Sequence, residues 1–107
     1  MDLSFLRKLM DGDEALVDRF VSIFKAQVPG QVAALAALYN SGEWEELSTA
    51  LHSLKTQFNY VGMSEFATQM QTMEAEVDAG NTAALQDEIH LFTAQFENFW
   101  ESQFSAA

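Results

Sequence analysis

No cysteine occurs among the 107 residues, which excludes both a disulfide framework and a thiolate metal site. Proline occurs once and glycine five times, so there are few places where a helix is obliged to stop. Basic residues are scarce too: five Lys and Arg stand against sixteen Asp and Glu, for a formal net charge of −11. Nucleic acid and anionic membrane surfaces are held chiefly by Lys and Arg, and these five form no stripe. Protein partners are therefore expected, with no nucleic acid and no membrane among them. No unbroken apolar run approaches the roughly 18 residues of a membrane span, and no apolar core precedes a small-residue cleavage site at the amino terminus. These absences predict a cytoplasmic chain, kept monomeric by its charge.

Common catalytic signatures are missing as well. There is no cysteine nucleophile, no G-x-S-x-G, no glycine-rich phosphate loop and no H-E-x-x-H. Carboxylates are plentiful, but on acidic amphipathic helices they form the solvated face.

What the chain does have is hydrophobic residues, 49% of the total with nine Phe and two Trp. That is enough for one core and one domain over residues 1–107 without metal or disulfide. Apolar residues recur three and four apart almost throughout, the spacing of one helix face. The pattern predicts a short helix over 3–10 with Phe5, Leu6 and Leu9 inward, then a turn at 11–13 with Asp13 as N-cap. Residues 14–40 carry Val17, Phe20, Phe24, Val28, Val32, Leu35 and Tyr39 on one stripe, with a kink or short break expected at Pro29-Gly30. After a turn at 40–42, residues 43–60 place Trp44, Leu47, Leu51, Leu54 and Phe58 on a face. Residues 64–79 do the same with Phe66, Met70, Met73 and Val77, and 82–104 with Leu85, Ile89, Phe92, Phe96 and Phe99. Short connections make successive helices antiparallel neighbours. The predicted fold is all-α: an up-and-down four-helix bundle with a short extra helix at the start.

Two histidines remain as candidates for chemistry. His90 follows Asp87 by three residues, but a di-iron bundle needs paired Glu-x-x-His motifs, so it reads as a solvated helix residue. At roughly 100° per residue, His52 lies roughly 120° from the centre of its helix's core stripe and should face water. Lys55 is one turn along, its stem lying on apolar surface and its ammonium reaching out. Residues 47–64 contain no acid, so a negatively charged adduct on His52 is expected to meet little repulsion. An imidazole is largely uncharged and nucleophilic at neutral pH. An outward His52 argues against a haem bundle, whose ligands face the core. No cofactor and no metal are expected.

His52, Leu54 and Lys55, followed by Val61 and Gly62, resemble the signature of the histidine-containing phosphotransfer (Hpt) family of two-component phosphorelays. Gly42-Glu43-Trp44 is similar to the family's turn ahead of that helix, and the segment from Phe20 through Pro29 to Leu38 resembles its preceding helix. The resemblance covers about residues 14–85. It implies that His52 accepts and donates a phosphoryl group and that Lys55 stabilises it. Gly62 would permit the tight interhelical turn, and Ser48, Thr56, Gln57 and Asn59 would form a docking surface. The implied partners are a response-regulator receiver domain, which supplies the aspartate and Mg²⁺, and a hybrid sensor histidine kinase. The chain itself would have no ATP-dependent kinase activity. Thr56 and Gln57 stand where the family has glycine and a small residue, and Leu51 where alanine is frequent. The first two are expected to narrow the range of partners or slow transfer. Two other readings stay open: a transfer-impaired binding module of the same fold, and a generic helical interaction bundle.

Overall fold

The computed structural model describes residues 1–104. They form α1 (Ser4–Leu9), α2 (Glu14–Asn40), α3 (Trp44–Tyr60), α4 (Ser64–Asp78) and α5 (Leu85–Phe104), with no strand among them. α3 packs between α2 and α4, and α5 closes the ring by packing on α2 and α4. Cross-helix contacts fix the antiparallel sense. Phe24 meets Trp100 while the Tyr39 hydroxyl reaches the Thr82 carbonyl, so α5 descends as α2 rises. The four-helix bundle with its short leading helix is therefore the observed fold.

Most of each predicted stripe forms the core, with Phe20, Tyr39, Phe66 and Phe99 half-buried at its margin. Phe24, Val28, Val32, Leu35, Leu47, Leu51, Leu54, Phe58, Met70, Leu85, Ile89, Phe92 and Phe96 are all buried. Phe58 of α3 is the hub, meeting Phe24, Phe66, Phe92 and Phe96 at 5.5–6.2 Å between centroids. Burying one such ring stabilises the fold by about 1.5–3 kcal/mol. It also fixes the rotation of α3, and hence which of its residues face outward.

Several expectations are corrected. Of the kink or short break expected at Pro29-Gly30, the break does not occur: helix α2 runs through Pro29, and the core stripe continues on both sides of it, so packing holds the turn that the missing amide weakens. In α1 only Leu6 is buried, while Phe5 and Leu9 are largely exposed. A six-residue helix lying on the end of a bundle has room to bury one narrow line. Trp44 is exposed on the bundle's flank and packs edge-on against Tyr39 instead of entering the core. Helix α5 starts at Leu85 rather than at 82, the Thr82 carbonyl receiving the Leu85 amide and the Tyr39 hydroxyl. Asp13 does cap α2, its carboxylate accepting from the Leu16 amide at 3.2 Å.

Helix α2 also qualifies the reading of hydropathy. It is 27 residues long and, by length and composition alone, apolar enough to cross a membrane, the one such helix among the described residues. The count of unbroken apolar runs missed this because isolated polar residues interrupt each run without lowering the average far. In the bundle its stripe from Val17 to Leu35 packs inward.

At the lower end of the bundle, the Asp2 amide donates to the Val61 carbonyl at 3.0 Å, and the Asp2 carboxylate caps α1 by accepting from the Ser4 amide at 2.9 Å. Gly62 lies beneath this strap with φ of +71°. A Cβ there would sit 2.5 Å from the Asp2 carbonyl oxygen. Glycine is thus required twice over, by backbone conformation and by the strap.

Candidate functional site

Because Leu47, Leu51, Leu54 and Phe58 point inward, the opposite side of α3 presents a ridge spaced by threes and fours: Glu45, Thr49, His52, Thr56, Asn59. His52 stands at its middle with its side chain 59% exposed. The expected outward orientation is what the fold produces.

The expected freedom from acids is not. The Nδ1 of His52 lies 2.9 Å from Oε2 of Glu74 on α4, and the Lys55 ammonium donates to Oε1 of the same carboxylate at 3.3 Å. Glu74 itself is only 17% exposed. Counting acids along α3 could not detect a neighbour contributed by the next helix. The carboxylate lies at one edge of the ring and does not wall it off. An ionised carboxylate only accepts hydrogen bonds, so Nδ1 must carry the proton. In the neutral ring the lone pair then resides on Nε2, the nitrogen for which the structure gives no protein partner.

The remaining predicted residues divide between two sides of the ridge. Ser48, half-buried, donates to Asp78 Oδ1 at 2.6 Å, which ties its hydroxyl to α4. The Thr56 hydroxyl donates back to the His52 carbonyl at 3.2 Å. Gln57 turns the other way, its amide donating to Gln31 Oε1 of α2 at 2.8 Å and to the Ser53 hydroxyl at 3.1 Å. Asn59 is exposed at the lower end of the ridge, and Gly62 forms the turn below it. His90 is exposed on α5, a different helix from the ridge. No group of three or more His, Asp or Glu among the described residues is arranged to hold a metal.

Sequence reasoning missed two features. One is Glu74, although it was countable: His52 and Glu74 stand equally far from Met63 at the α3–α4 turn, as do Ser48 and Asp78. Antiparallel hairpins bring such pairs to one level. The other is a set of exposed apolar side chains, Phe5, Leu9, Leu16 and Ile23. Phe5 stacks on Tyr60 of α3 at 6.0 Å, and Phe20 meets the same ring edge-on at 5.6 Å. In helical phase, Leu16 and Ile23 lie beside Phe20 on the flank of α2 nearest α3. An amphipathic stripe wider than the core needs is the signal that announces them.

The site is thus an outward imidazole with one nitrogen tied to a carboxylate and a lysine one turn away. The sequence model of the Hpt domain family matches residues 19–102, most of the chain. The chain belongs to the Hpt domain family. A search of curated proteins gives no match, and neither does a search of solved structures. Hpt domains act in phosphotransfer within two-component signalling, as phosphocarriers rather than kinases, and they interact with receiver domains and histidine kinases.

Proposed function

We propose that this chain, as a single Hpt unit over residues 1–107, relays a phosphoryl group in the cytoplasm between receiver domains through Nε2 of His52. The observation that carries the reading is the exposed imidazole whose Nδ1 lies against the Glu74 carboxylate, which favours the neutral form with its lone pair on Nε2.

The step balances as an in-line displacement. The Nε2 lone pair attacks the phosphorus of a receiver's aspartyl phosphate; the N–P bond forms, the P–O bond to the aspartate breaks, and the electron pair leaves with the aspartate carboxylate. The ring keeps its Nδ1 proton and becomes cationic as the N–P bond forms, and the Glu74 carboxylate 2.9 Å away offsets that charge. Lys55 has three N–H donors and spends one on Glu74, so it retains donors for phosphoryl oxygens. Glu74 thus balances the lysine in the resting state and the imidazolium during transfer. The chain supplies a positioned nucleophile, and the metal and the aspartate belong to the receiver. The exposed Phe5, Leu16 and Ile23 beside the ridge support docking of a partner with an apolar face.

Incubation with phosphorylated receiver domains tests this. The expected result is an acid-labile, base-stable label on the wild-type chain that is absent from His52→Gln. Receiver binding with no label on His52 would instead support a docking module.

A further inference from the structure

On the α2 side of His52, away from Glu74, lies an open groove of about 510 Å³ between α2 and α3. Its walls are the methyl groups of Ala34 and Ala50. Glu45 and Glu46 stand at one end and Gln31 and Ser53 at the other. The Gln57 amide donates to both residues of that second end, Gln31 Oε1 and the Ser53 hydroxyl.

The charge in the groove is one-sided. Neither Glu45 nor Glu46 takes part in an ion pair among the described residues. No Lys or Arg occurs between Lys25 and Lys55, or anywhere after Lys55, so α4, α5 and the second half of α2 contain nothing to neutralise them. A carboxylate-bearing partner side chain would be repelled here, and a purely apolar one would leave the two carboxylates unmatched. A long cationic side chain satisfies both features, its stem lying on the alanines and its head meeting the carboxylates. Thr49, on the ridge one helical turn from His52, lines the near side of the groove, and Glu45 and Glu46 stand about two turns from His52 on the same helix.

Resting on the relay reading above, we propose that this groove receives a lysine or arginine side chain of the docked receiver domain, and that it selects among receivers. Receivers with a basic side chain at the matching position bind productively, and those with an acidic one are rejected.

The test measures affinity of a panel of receiver domains for the wild-type chain, for Glu45→Lys/Glu46→Lys and for Glu45→Gln/Glu46→Gln. The second pair removes charge without placing cations in the first turn of α3, where they would oppose the helix dipole. For the tightest receivers we expect affinity to fall about tenfold or more in the Lys pair and less in the Gln pair. Reversing one basic residue on the receiver should restore binding to the Lys pair, and in transfer assays the loss should fall on the receiver concentration giving half-maximal rate. Unchanged affinity in both pairs, with label still reaching His52, overturns the groove assignment and leaves the relay intact. Failure of every receiver to bind the wild-type chain overturns both.

Discussion

Glu74 gives His52 its orientation, and the pair is the smallest unit in which the proposed chemistry can be tested. Replacing Glu74 with alanine removes the acceptor on Nδ1, so the neutral ring redistributes toward the form protonated on Nε2, which has no lone pair there to attack with. We expect phosphoryl transfer to His52 to slow about tenfold, equivalent to about 1.4 kcal/mol in the barrier. Imidazole ¹⁵N spectra should show the Nε2–H form gaining population. Glu74→Gln keeps an acceptor without the charge and should fall between wild type and alanine. A rate and a tautomer ratio both untouched by Glu74→Ala would remove Glu74 from the account. At this scale the sequence was legible where a residue's role depends on its own helix. His52's exposure and Lys55's place at the core boundary follow from α3 periodicity alone. Glu74, Asp78 and Gln31 act across helices, and finding them required the register of one helix against the next.

Among the elements, the junction of α3, α4 and the amino-terminal strap makes the sharpest prediction. Gly62→Ala meets both a left-handed backbone, at about 1–2 kcal/mol, and the Asp2 backbone directly above. Gly80 has a similar φ of +72° with open space around it, so Gly80→Ala carries the conformational cost alone. Thermal melts should therefore rank Gly62→Ala as the more destabilised. Amide exchange should show the Asp2 amide, bonded to the Val61 carbonyl, losing protection in that variant only. Equal melting temperatures would show that the strap yields freely. Most element boundaries were legible because the breaks are chemically explicit: Asp13 caps α2, and Gly42 and Gly62 take the positive φ of their turns. Pro29 made no break because the cost it imposes is local while the stripe from Val17 to Leu35 is packed along its whole length. Phe5, Leu9 and Trp44 misled in the other direction, since periodicity marks an apolar face without saying whether another helix covers it.

For the whole molecule, net charge was legible from composition, but its pairing into contacts was not. Glu88 on α5 has one carboxylate oxygen sealed from solvent without a partner. Burial first, and the neighbouring Glu76 carboxyl second, push its pKa above the usual carboxylate value. A raised pKa in the folded state means that this group favours folding fully below the ordinary carboxylate pKa, and that the contribution is lost as pH rises through the raised value. Asp2 has the opposite sign: hydrogen bonds from Ser4 lower its pKa, so its contribution is present above the ordinary carboxylate value and lost as pH falls through the lowered one. Glu88→Gln should therefore raise the melting temperature at pH 7 and do so less at pH 4, where the native carboxyl is largely protonated. A stabilisation that is the same at both values would contradict the assignment. The same acidity leaves Lys55 as the last basic residue in the chain, which gives its ion pair with Glu74 no substitute.

Which ring nitrogen of His52 takes up phosphorus is open to spectroscopy. After transfer from a phosphorylated receiver to chain labelled with ¹⁵N in histidine, coupled ³¹P and ¹⁵N spectra identify which ring nitrogen carries phosphorus. We expect a single phosphorus-coupled resonance from Nε2 of His52, with Nδ1 still protonated toward Glu74. Phosphorus on Nδ1, on His90, or on no histidine while receivers bind tightly would contradict this.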